Sequence, residues 1–149
     1  KATVDSAALR IRFELDMLVV KANYFRFPRP TDVELPEAEW KHGLHGGAIE
    51  TSMMLHFRPD LVRKDAIQRF ESLGEELDET LTWVRPEGVA PFAWLAQDLN
   101  PHGVTGDATL ATPKLGARLA EHYSAILADV VRDARAFPIE RFGSQEPRG

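Results

Sequence analysis

Between His42 and Glu50 the chain places two imidazoles, a carboxylate and three glycines, in the run His42-Gly43-Leu44-His45-Gly46-Gly47-Ala48-Ile49-Glu50. An imidazole changes charge close to neutral pH, so it can give or take a proton during a reaction. A carboxylate can ligate a divalent cation or compensate the positive end of a helix. The Gly46-Gly47 pair takes backbone angles that other residues avoid, so this run reads as a turn. Beyond it Ile49, Met53 and Phe57 recur at helical spacing, which makes the turn the entrance to a helix with Glu50 in its first turn. Glu50 is there either a dipole partner or a metal ligand, and the neighbouring histidines favour ligation. The spacing is not the H-E-x-x-H helix, which needs two histidines one turn apart.

The elements that must position these residues lie on both sides. At the start, Val4, Ala8, Ile11 and Leu15 share a helical face, with Thr3 as its N-cap. Met17 to Phe25 is a near-continuous run of apolar, β-branched and aromatic residues, and it predicts a strand buried on both faces. Helix followed by buried strand is half of a βαβ unit, so the expected class is α/β with a mostly parallel sheet. The only other strand candidate is Phe92 to Leu95. Pro28, Pro30 and Pro36 make Phe27 to Leu35 a loop, and Pro36 to Trp40 forms a short helical turn delivering the chain to His42.

Downstream, Arg58-Pro59 ends the helix, and the acidic stretch Glu71 to Glu79 reads as a solvated face. Trp83, Phe92 and Trp94 fit a pocket or a core equally well. His102 precedes Gly103-Val104-Thr105-Gly106-Asp107, a tight turn whose Asp107 ties down backbone N–H groups or whose loop borders a site. Thr112-Pro113 supplies an N-cap and first-turn proline for the longest helix. Its stripe is Leu119, Tyr123, Ile126, Leu127, Val130 and Ala134, with His122 exposed, and residues 142–149 read as a flexible tail.

At 149 residues, 44% hydrophobic and 28% charged, the chain has the composition of one folded domain. A net charge of -5 argues against nucleic-acid binding, which relies on a basic surface. With no cysteine, disulfides and thiolate metal sites are excluded. No apolar run suits a membrane span and no signal pattern is visible, so the expected location is the cytoplasm.

The run His45-Gly46-Gly47-Ala48-Ile49-Glu50-Thr51-Ser52-Met53-Met54-Leu55, followed by Arg58-Pro59-Asp60-Leu61-Val62, resembles the H-A-G-x-x-E-T-S-x-x-L…P-x-L-V signature of the creatininase (creatinine amidohydrolase) family. Gly103-Val104-Thr105-Gly106-Asp107-Ala108-Thr109-Leu110-Ala111-Thr112 is similar to its G-V-x-G-D-P-T-x-A-T segment. The departures are Gly46 in place of the usual Ala and Ala108 in place of Pro.

The resemblance implies a three-layer α/β/α fold with a mostly parallel sheet, of which this chain is the C-terminal portion. Residues 1–149 would be a single domain, incomplete on its N-terminal side, because the family's preceding loop and most of its metal ligands have no counterpart here. The implied chemistry is hydrolysis of a C–N bond in a small, often cyclic, amide at two divalent ions (zinc, manganese or iron) that polarise the carbonyl and activate water.

On that resemblance His45 is the proton donor to the departing nitrogen and Glu50 a metal ligand. His42, Trp40, Gly46 and Gly47 are then substrate contacts, although Trp40 also reads as a side chain packing its loop down. The implied partners are the amide, an N-terminal fragment or second chain completing the site, and further copies in a homo-oligomer. Activity on formamides or lactams, or in peptide trimming for cofactor maturation, is equally compatible. A non-catalytic subunit lacking the metal half is the remaining alternative.

Overall fold

A computed structural model describes residues 2–143. The fold mixes helices with very small sheets, as an α/β class allows. The described residues divide into two compact units, residues 29–122 and residues 2–28 with 123–143.

In the first unit, α2 (Glu37–His42) starts behind Pro36, as the proline pattern predicts. Gly47 precedes α3 (Ala48–Phe57), so Glu50 falls in the first turn. The side chains that seat α3 are Ala48, Ser52 and Leu55, all buried, whereas Phe57 is exposed and Ile49 and Met53 are half-buried. Apolarity alone pointed to the wrong stripe, because the packed face is the one whose small residues permit close approach.

β1 (Arg69–Phe70) is followed by α4 (Leu73–Thr80), whose start carries a capping box: Ser72 accepts from Gly74 N–H, and the Glu75 carboxylate accepts from Ser72 N–H. Next come the parallel pair β2 (Val84–Arg85) and β3 (Ala90–Pro91), then α5 (Ala96–Leu99) and β4 (Gly106–Asp107). β4 pairs antiparallel with β1 in the register Arg69 to Asp107 and Phe70 to Gly106. Phe92 to Leu95 is not a strand. Trp94 donates its indole N–H to Pro86 C=O at 2.9 Å, and Trp83 lies exposed.

α6 (Pro113–Ala136) is the longest helix, capped by the Thr112 hydroxyl, which accepts Leu115 N–H at 3.0 Å. Leu119 on its first half is fully buried. Where α6 passes α3, Gly116 lies so close that a Cβ there would overlap the Ser52 carbonyl.

The second unit contains α1 (Ala2–Leu15), residues 16–28 and the end of α6. Thr3 lies inside α1 and does not cap it, and Val4, Ile11 and Leu15 are exposed. Met17 to Phe25 is not a strand: it runs without β pairing to a 3-10 turn at Tyr24–Arg26, with Met17 and Val20 about half exposed. A strand exists only with a neighbour to satisfy its N–H and C=O groups, and no described residues supply one. Tyr123 is buried, with Tyr24 and Phe27 against its ring at centroid separations of 5.5 and 6.3 Å. Of the expected tail, Phe142 lies against Phe137 and beneath the Arg12 guanidinium, and residues 144–149 lie outside the described residues.

Candidate active site

The E-T-S triplet of the first motif is explained bond by bond. Glu50 Oε2 accepts Gly46 N–H at 2.7 Å, and the Thr51 hydroxyl donates to Gly46 C=O at 3.0 Å. Gly46 is therefore held through both its N–H and its C=O, in the two peptide units that flank it, by the helix that follows. Ser52 reaches the other way, its Oγ accepting Thr112 N–H at 3.1 Å, and so joins α3 to the end of the second motif. Gly46 sits at φ +74°, the left-handed region where a side chain is strained, so glycine suits this position better than the usual alanine.

The second motif docks on the first. Thr105 N–H donates to His45 C=O at 2.7 Å, and Leu44 N–H donates to Thr105 Oγ1 at 3.1 Å. Asp107 accepts Thr109 N–H at 3.0 Å, the backbone-tying role read from the sequence. His102 stays exposed, edge-on to Phe70.

Between the two motifs lies Glu39, 4% exposed, a residue the sequence reading passed over. Its Oε1 accepts Ala48 N–H and its Oε2 accepts Asp107 N–H, both at 2.6 Å. The first bond satisfies one of the unpaired donors at the start of α3. Glycines enclose the carboxylate: a Cβ on Gly43 or Gly47 would overlap it, and one on Gly106 would lie 2.9 Å from both oxygens.

Three of the six expected site residues meet on one edge of the turn. The His45 ring is 58% exposed, and its Nδ1 lies 3.4 Å from Glu50 Oε2, the oxygen that also accepts Gly46 N–H. Gly47 is buried behind them against Glu39. Trp40 is half-buried, with the Arg29 guanidinium 5.0 Å from its ring centroid. His42 is buried, its Nε2 2.7 Å from Asp78 Oδ2.

Asp78 belongs to the acidic stretch read as a solvated face, yet it gathers Lys41, His42 and Arg85. The Lys41 ammonium, and then His42 and Arg85, hold its carboxyl well below the usual aspartate range against an opposing effect of burial.

No group of three or more His, Asp or Glu side chains suited to a metal ion forms among the described residues. The exposed His45 and the half-buried Glu50, one of whose oxygens already accepts Gly46 N–H, fit at most a share of a metal centre, not the whole of one. No helix among the described residues is long and apolar enough to cross a membrane.

Comparison with curated proteins and with solved structures gives no significant match. The family model for creatininase, creatinine amidohydrolase, matches residues 1–131, most of the chain and both motifs. The chain thus belongs to the creatininase family, which carries with it an amidohydrolase-like function.

Proposed function

We propose that this chain is part of a metal-dependent hydrolase acting on a non-peptide C–N bond, in a small cyclic amide or a formamide. The single observation behind the reading is the pairing of the exposed His45 imidazole with the helix-borne Glu50 carboxylate, in a turn held by both family motifs. Glu50 would be this chain's ligand to a pair of divalent ions (zinc, manganese or iron), which when bound supply Lewis acidity toward the amide carbonyl. His45 would hand a proton to the nitrogen as it leaves. Trp40, Gly46 and Gly47 would border the substrate, while His42, enclosed with Asp78, would support that wall from behind.

One carboxylate does not make a two-ion centre, so the other ligands would come from a complementary polypeptide segment. The same segment would pair with Met17 to Phe25 and complete a three-layer fold around a parallel sheet. A cytoplasmic homo-oligomer is the expected final state.

A metal-supplemented screen of cyclic amides and formamides, with intact-mass and elemental analysis of the same preparation, tests this. Turnover is expected only where a second polypeptide and stoichiometric metal accompany the chain. In that assembly His45→Ala should lower kcat by about 10²- to 10⁴-fold with metal retained, and Glu50→Gln should lower metal occupancy. Metal loss in the first variant with full occupancy in the second would exchange the two roles. A stable, metal-free single chain would instead favour a non-catalytic subunit, the alternative suggested by the absence of a three-donor group among the described residues.

A further inference from the structure

We infer that Glu39 is the positioning residue for His45. Its two carboxylate oxygens each hold a backbone N–H from a different motif, Ala48 on the near side and Asp107 on the far side. His45, three residues before Ala48, is bridged to Thr105, two residues before Asp107, its C=O accepting Thr105 N–H. Removing either Glu39 bond frees one edge of the seam along which the His45 backbone is fixed.

Three features separate this carboxylate from an ordinary helix cap. It stands 9 residues before the N–H it accepts on α3, and 68 before the one on β4, so it joins distant segments instead of closing a local turn. It is enclosed by Gly43, Gly47 and Gly106, where any side chain would intrude on it, so these glycines leave the space that the carboxylate fills. Because it is buried among backbone, it cannot touch substrate and acts only through what it holds.

Side-chain chemistry makes the inference testable. A carboxylate accepts at both oxygens, whereas the amide of glutamine accepts at one and donates at the other. Glu39→Gln therefore keeps the volume and breaks one of two bonds, while Glu39→Asp keeps two acceptors on a stem shorter by one methylene.

Amide hydrogen exchange on the full chain reads the tether directly. In Glu39→Gln, either Ala48 or Asp107 should lose protection, and Thr105 N–H should exchange about tenfold faster or more, while amides in the middle of α6 keep the wild-type rate. Glu39→Asp should recover part of the Thr105 protection, and it stands in for Glu39→Gln if the latter does not fold.

The catalytic consequence rests on the proposed hydrolase reading. In the assembled enzyme kcat should fall about 100-fold with KM within about threefold of wild type, since misplacement of about 1 Å is enough for such a loss. Unchanged Thr105 exchange, or an acceleration shared equally by α6, would overturn the inference. If the wild-type protein hydrolyses no amide, the hydrolase reading fails while the exchange measurement still decides the tether.

Discussion

Asp78 carries three cationic or ionisable partners on one carboxylate, and its half-buried place at a helix–helix contact makes that arrangement a stability feature. Because Lys41 and its companions lower the folded-state pKa, the stabilisation is present above the usual aspartate value and is lost as pH falls through and below it. The urea midpoint of the wild-type chain should therefore drop between about pH 5 and pH 2. Asp78→Asn should be less stable at neutral pH and show a shallower acid slope. Asp5, Asp32, Glu37 and Asp60 are also lowered by basic partners, but they are surface pairs that salt screens. The difference between wild type and Asp78→Asn should accordingly persist in high salt, and its disappearance there would argue against a partly buried hub. At this scale the placing of Glu50 in the first turn of α3 beside His45, and the Thr112 cap, were legible because both follow from local spacing. Glu39 and Asp78 were not. Each looks in sequence like one more surface acid, and only the fold brings N–H groups or cations from distant segments against them.

The contact of α3 with α6 turns on the absence of a side chain. Alanine is ordinarily the better helix former by about 1 kcal/mol. At Gly116 that gain is outweighed, because the added methyl would meet the Ser52 carbonyl, a backbone atom that no rotamer change can move aside. Gly116→Ala should lower stability by at least about 1–3 kcal/mol, the usual cost of overpacking. It should also weaken the bond from Thr112 N–H to Ser52, seen as faster amide exchange at Thr112. A higher unfolding midpoint would refute the close approach. The positions of α1, α2, α3 and α6 were legible because periodicity and capping are local, whereas α4 and α5, charged or short, were missed, and the faces that α1 and α3 bury were misassigned. The strand at Met17 to Phe25 was misread because a strand is defined by its neighbour, and residue type cannot report whether that neighbour is present.

For the whole molecule, the balance of apolar surface is unusual. Fully or nearly buried apolar side chains among the described residues amount to a handful, while Leu9 and Phe13, one turn apart on α1, are 71% and 65% exposed. Water-exposed apolar stripes of this kind favour association. Sedimentation of the isolated chain should show concentration-dependent self-association, and Leu9→Glu with Phe13→Glu should abolish it while leaving the α3 to α6 unit folded. A monomeric wild-type chain at high concentration would remove this argument for a partner. The mixture of helix and small sheet agrees with the α/β class, whereas the mostly parallel sheet was inferred from a strand at Met17 to Phe25 that does not form among the described residues.

The open stretch between α1 and the 3-10 turn at Tyr24 has a practical consequence. Lys21 lies there on a backbone without β pairing, its side chain near Asp5, so it offers trypsin an extended substrate before the helices fray. Nicking should begin at Lys21 and release α1 as a discrete fragment. A polypeptide that docked along this stretch would erase the cut, which turns a brief digestion into a footprint for any such companion.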